Sequence, residues 1–185
     1  METNLRDVYA AGDCVETWHR LLSRYTYMPL GTTSHKQGRI AGENAIGGTR
    51  EFAGSLGTQV VKLFDLIAAR TGLLDHEATT DGMSPLTVES TVWDHKVYYP
   101  NAHELHIRIT GDQNTGQLLG AQLLGHKDSE VSKRVDIVAS ALFQGSTVEA
   151  LNDLDLSYTP PLSSPWDPVQ MGAQSWSKAI MNAVT

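Results

Sequence analysis

Leu105, Ile107 and Ile109 alternate with His106, Arg108 and Thr110. A period of two suits an extended strand with one face buried and the other wet. Asp112 to Gly116 follows as a polar, glycine-ended turn, and Gln117 to Gly125 returns as the partner strand, so the middle of the chain is a β-hairpin. Leu86 to Trp93 is rich in β-forming residues and adds a further strand. Downstream, Val131, Val135, Val138 and Leu142 share one face of a helix from Glu130 to Phe143, ended by Gly145. Val148 to Leu154 is a shorter helical piece, and Gln170 to Val184 closes the chain as a helix. Between these last two, Tyr158-Thr159-Pro160-Pro161 and Pro165-Trp166-Asp167-Pro168 form a stiff loop, because proline locks φ and removes a donor. The expected fold class is α+β, an antiparallel sheet with helices packed on one face.

With 185 residues, 41% of them hydrophobic, the chain buries a core for one full domain and part of a second. Charged residues are 19% and the formal net charge is −7, with Lys and Arg scattered. That balance offers no electrostatic footprint for nucleic acid or for an anionic membrane surface. Cys14 is the sole cysteine, so an intrachain disulfide is excluded and a reducing, cytoplasmic setting is expected. No leader pattern opens the sequence, and no apolar run approaches the roughly 18 to 20 residues of a membrane span.

The first third reads differently. Val8-Tyr9-Ala10-Ala11-Gly12-Asp13-Cys14 looks like a strand end running into small residues and one carboxylate. Ala10, Ala11 and Gly12 leave room for phosphate or sugar to approach the main chain, Gly12 permits an unusual turn, and Asp13 offers an acceptor-only carboxylate to hydroxyls. An ordinary strand exit with a capping Asp is the plainer alternative. Only Met1 to Asp7 stands upstream to pair with such a strand, so the expectation is the tail of a larger protein. Val15 to Tyr27 carries Trp18, Leu21 and Leu22 at helix-like spacing, broken by Pro29 and Gly31. Thr32-Thr33-Ser34 reads as the cap of a helix from His35 to Ile46, closed by Gly47-Gly48. Gly38, Ala41, Gly42 and Ala45 give this helix a small face against which something should pack closely. Gln59 to Arg70 reads as a strongly apolar helix stopped by Gly72. A boundary near Gly47 to Gly54 separates residues 1–50 from a domain-sized 51–185.

Four stretches, in this order and spacing, resemble the FAD-dependent pyridine nucleotide-disulfide oxidoreductases, and most of all their coenzyme A disulfide reductase and NADH oxidase branch. They are the Val8–Cys14 stretch, Pro29 to Arg39, Gly57 to Phe64, and Asp155 to Pro161. The resemblance implies that residues 1–50 are a remnant of the FAD-binding domain and that 51–185 are the C-terminal dimerisation domain. It implies a homodimer, FAD and NAD(P)H as the cofactors of the full-length parent, and weak or no FAD binding by this chain. Gly12 and Asp13 fall at the motif that meets the ribityl chain. Leu30, Gly31, Thr32 and Thr33 fall where a helix N-terminus meets the flavin's pyrimidine edge, its free N–H groups and positive end favouring negative charge there. In the coenzyme A disulfide reductase branch, tyrosines reach across the dimer to the substrate sulfur. Tyr158 matches one such position, and Tyr98 or Tyr99 the other. A phenol can donate to a developing thiolate, although a tyrosine beside proline also serves simply as interface packing.

The departures matter as much. No early G-x-G-x-x-G occurs, no separate nicotinamide-binding domain is visible, and Cys14 lies inside the flavin motif rather than at a redox position, where it reads as a small packed residue. His95, His103, His106 and His126 show no i, i+4 pair with a carboxylate, so no metal site is expected. The expectation is a segment of a flavoprotein NAD(P)H-dependent disulfide reductase or NADH oxidase, inactive alone. The alternative is a stand-alone interaction module derived from such a reductase.

Overall fold

The structure, a computed structural model, describes residues 1–184, with the backbone only for Val184. The chain divides into two compact units, Met1–Gly57 and Thr58 onward.

The first unit holds a two-stranded hairpin, β1 (Glu16–His19) and β2 (Arg24–Tyr27), and one helix, α1 (Gly31–Ala45). The short stretch with helix-like spacing across Val15 to Tyr27 is thus a hairpin. Thr17 and His19 are buried while Glu16 and Trp18 are exposed, so the period is two. Across the pair Trp18 meets Tyr25 edge to face at 5.3 Å, and Ser23 turns the chain with φ 48°. Aromatic and β-branched residues favour this extended form over a short helix. Val8 to Cys14 is not a strand end either. Tyr9 makes a single bridge to Glu2, with Thr3 N donating to Val8 O at 2.8 Å and Ala10 N to Met1 O at 3.1 Å. Among the described residues the segment pairs with Met1 to Thr3, a contact too short to make a sheet.

α1 starts at Gly31 with Leu30 as its N-cap and no side-chain cap, so Thr32, Thr33 and Ser34 lie inside the first turn instead of capping it. Its small face is open: a Cβ at Gly38 or Gly42 would meet nothing within 4 Å.

In the second unit five strands form one antiparallel sheet in the order β3-β4-β7-β6-β5. They are β3 (Gln59–Leu63), β4 (Leu66–Gly72), β5 (Pro85–Trp93), β6 (Glu104–Asp112) and β7 (Leu118–His126). The single helix expected from Gln59 to Arg70 is the β3–β4 hairpin, turned by Phe64 (φ 56°) and Asp65. A run that is apolar all round fits either form. β7 decides it, because it offers β4 a ladder of hydrogen bonds from Leu66↔His126 to Gly72↔Gly120. The β6–β7 hairpin and β5 form where the alternation predicts.

Four helices accompany the sheet: α2 (Asp75–Thr80), α3 (Val131–Phe143), α4 (Val148–Asn152) and α5 (Pro168–Val184). α3 packs on β4 and β7, and α5 on β5 and β6. Leu105, Ile107 and Ile109 point into this layer and are fully buried, as are Val138 and Val169, with Val135 nearly so. Close contact is required in places: a Cβ at Gly111 would stand 2.7 Å from the Trp176 ring. α5 begins two residues earlier than its periodicity suggests. Pro168 suits a first helical position, and Asp167 Oδ1 accepts from Val169 N at 3.0 Å, capping the helix. The fold is α+β, with an antiparallel sheet and α3 and α5 covering one face.

The other face is open. Val61, Ala68 and Leu124 form one row across it, continued by His106. Arg70, Gln122, Arg108 and Glu89 form the next. Together they line a concavity of about 620 Å³. No helix among the described residues is long and apolar enough to cross a membrane.

Candidate functional site

The residues singled out in the first unit gather around the start of α1. Gly12 adopts φ +89°, a conformation other residues resist. Its N–H donates to Gln37 Oε1 at 2.9 Å, and Gln37 Nε2 donates in turn to Thr17 Oγ1 at 3.0 Å. Gln37 is 1% exposed, so one buried amide pins the Ala11–Asp13 bend onto both the helix and the hairpin. Asp13 is exposed, and its Oδ1 accepts from Ser34 Oγ at 2.9 Å. The bend thereby places a carboxylate one turn into α1, beside its uncapped end.

That end has no acidic residue in its first turn. The N–H groups of Gly31, Thr32 and Thr33 have no acceptor within the helix, and the helix dipole leaves positive potential there. Gly31 and Thr32 are exposed, whereas Thr33 is buried with its hydroxyl 3.1 Å from Ser55 Oγ. Thr33 therefore has its side chain engaged and only its amide to offer. Leu30 is partly exposed in extended conformation. A hydroxyl-bearing chain at Asp13 and an anionic ring edge at the helix start both suit this arrangement. Cys14 is exposed, with Sγ 3.4 Å from Ala11 O, and is not the packed residue expected.

In the second unit, Tyr98 and Tyr99 lie on the 94–103 loop between β5 and β6, with rings 5.2 Å apart. Tyr158 lies before the Pro160-Pro161 turn. Lys96 N donates to Pro160 O at 3.2 Å, which sets the two tyrosine-bearing loops side by side. Tyr98 is 71% exposed, Tyr158 44% and Tyr99 37%, so all three phenols stand on an accessible surface.

What holds these loops was invisible to motif spacing. Arg134 on α3 is 4% exposed. Its Nε donates to Asp167 Oδ2 at 3.2 Å, Nη2 to Asp94 O at 2.7 Å and Leu162 O at 3.4 Å, and Nη1 to Ser129 O. Asp94, 2% exposed, accepts from Ser129 Oγ at 2.7 Å and His103 N at 3.1 Å, and pairs with His95 Nδ1 at 2.8 Å. One guanidinium thus joins both loops and the start of α5. A signal existed in the sequence: Arg134 interrupts the apolar stripe of Val131, Val135 and Val138.

His106 lies on the exposed face of β6 and His126 at the end of β7, as the strand pattern predicts. His106 is exposed and bonds Thr91. His103 and His126, from opposite ends of neighbouring strands, stack with ring centroids 3.9 Å apart. Asp128 Oδ2 is 3.4 Å from His126 Nδ1. The i, i+4 criterion missed this cluster because strand pairing, not a helix, brings it together.

Residues 58–168 match the model of the pyridine nucleotide-disulphide oxidoreductase dimerisation domain. The chain is 36% identical over 169 residues to an NAD(P)H sulfur oxidoreductase (CoA-dependent) of Pyrococcus furiosus, a match covering 91% of this chain and 38% of that protein. It is 33% identical over 172 residues to a coenzyme A disulfide reductase of Staphylococcus aureus, covering 92% and 38% respectively. Among solved structures, an NAD-dependent persulfide reductase from A. fulgidus superimposes with TM-score 0.89 at 35% identity, over 94% of this chain and 32% of that one. The chain therefore spans less than two fifths of the length of these relatives.

Proposed function

The chain belongs to the pyridine nucleotide-disulphide oxidoreductases, and on that premise we propose that it is the C-terminal segment of a flavoprotein NAD(P)H-dependent disulfide reductase or NADH oxidase. In this reading it supplies the homodimer interface and part of the flavin and substrate sites. The observation that carries the reading is the open sheet face of the second unit. Val61, Leu63, Leu66 and Leu124 are each 41% or more exposed there, an apolar area a lone domain seldom presents. Beside them Arg70 Nε and Arg108 Nε are buried without a hydrogen-bond partner among the described residues. A second copy covering this face buries the first group and gives the second its acceptors.

When bound in the full reductase, the flavin carries reducing equivalents from the nicotinamide toward a sulfur or oxygen acceptor. Asp13 and Gly12 receive its ribityl chain, the one by accepting from hydroxyls and the other by letting them approach. Leu30, Gly31, Thr32 and Thr33 present the helix start to the ring's pyrimidine edge. Tyr158, with Tyr98 and Tyr99, donates to the substrate sulfur in the neighbouring subunit. The positioning of both loops by Arg134 supports this role, since a donor must be held in place to stabilise developing charge. Alone, the chain is inactive in this reading.

Sedimentation velocity tests the interface. A dimer is expected at micromolar concentration, and Val61→Glu together with Leu124→Glu should yield a folded monomer. A wild-type monomer sinks the proposal. A flavin titration tests the division of the cofactor site: weak binding is expected, and tight stoichiometric binding with reduction by NADH shows that the chain holds the cofactor unaided.

A further inference from the structure

We propose that His103, His126 and Asp128 form a binding site for a divalent transition metal, zinc being the best fit, at the corner where β6 begins and β7 ends. One ligand atom from each of the three lies within 4.8 Å of the other two. His126 Nδ1 and Asp128 Oδ2 are 3.4 Å apart. That is long for a charge-assisted hydrogen bond, about 2.7–2.9 Å. It equals the edge between two ligands of a tetrahedral ion, because bonds of about 2.1 Å at the tetrahedral angle span about 3.4 Å.

The scaffold is fixed before any ion arrives. His103 is clamped to Asp94 in both directions, its N–H donating to Oδ1 at 3.1 Å and its carbonyl accepting from Asp94 N at 3.0 Å. His126 closes β7 opposite Leu66, and its carbonyl accepts from Ser129 N at 3.0 Å, which tightens the turn carrying Asp128. The near-parallel stack of the two rings, 26° between planes, sets their edges side by side. To place a nitrogen of each on one ion, the two rings must open out of this stack about their side-chain torsions. The cation in the turn is turned away: Lys127 Nζ pairs with Asp65 Oδ1 at 2.7 Å and its N–H donates to Asp65 O.

Two borderline imidazoles beside one hard carboxylate favour zinc and its first-row neighbours over calcium or magnesium, which take oxygen ligands. Asp128 is 63% exposed and the His126 side chain 26%, so an ion has a path in, and water completes the fourth position. The bound ion ties the ends of β6 and β7 to the turn before α3, next to Asp94 and the tyrosine-bearing loop it holds.

The test uses the untagged full chain, stripped with chelator and titrated with Co²⁺ and then Zn²⁺. One equivalent of Co²⁺ should raise ligand-field absorption in the visible, and Zn²⁺ should bleach it and raise Tm. His126→Gln and Asp128→Asn should each weaken binding on the order of a hundredfold. His106→Gln, outside the cluster, should bind as the wild type does. Asp128 is exposed, so its variant separates a lost ligand from a lost fold, and circular dichroism checks both. The site is refuted by the absence of saturable binding, by wild-type affinity in the two ligand variants, or by an equal loss in His106→Gln.

Discussion

Arg134 shows what a single residue does in the second unit. Its guanidinium joins Asp167, Asp94, Ser129 and Leu162, and it is all but sealed from water. Removing one partner of a buried pair leaves the other charge and several carbonyls uncompensated, which costs about 3–5 kcal/mol. Arg134→Met should therefore lower unfolding stability by about that amount in a denaturant titration, and it should open the 94–103 loop to protease. A loss under about 1 kcal/mol would mean that the network contributes little. At this scale the sequence was half legible. Asp13 and the three tyrosines were singled out from their motifs, whereas Arg134, Asp94 and Gln37 carried no motif of their own. Their partners are far away in the chain, and a hydrogen bond between distant elements leaves no local pattern.

Elements show where periodicity suffices and where it fails. The β6–β7 hairpin was legible because one face is buried and one wet, so apolar residues alternate. Its turn is an acid-sensitive device. Asp112 is 8% exposed, and the Ser84 N–H foremost, with Asn114 and Thr115, holds its carboxyl below the ordinary value. A depressed value in the folded state means stability that is full above the unfolded carboxyl's pKa of about 3.9 and is lost as pH falls through the folded one. Asp112→Ala should cost about 2 kcal/mol at neutral pH. The gap between mutant and wild type should close as the pH falls below about 4. A gap that is constant with pH would assign the effect to packing instead. The β3–β4 hairpin was misread for the opposite reason. Val60, Val61, Leu63, Phe64 and Leu66 are apolar on both faces and all at least half exposed, so no alternation marks the strands. An apolar run whose two faces are alike carries no period.

For the whole molecule, the open face of the sheet sets the expected behaviour. If a second copy covers it, folding and pairing are linked, and Tm should rise with protein concentration. A Tm independent of concentration, alongside a monomer in sedimentation, would leave the apolar rows unexplained by self-pairing. Salt should weaken the pairing only modestly, because its apolar contacts are not screened and the contacts to Arg70 and Arg108 become buried.

The sequence by itself determined the class of this protein: a sheet read from alternation, helices read from one-sided stripes, and family motifs whose residues carry their own chemistry. Those features are local, since a strand's wet and dry faces and a glycine's free φ are written within a few neighbouring residues. Only the tertiary structure decided that Val15–Tyr27 and Gln59–Arg70 are hairpins and that one arginine orders two loops. It also decided that His103, His126 and Asp128 share a corner. Each of these depends on which surfaces remain to be paired once the rest of the chain has folded, and that competition is settled across the whole molecule.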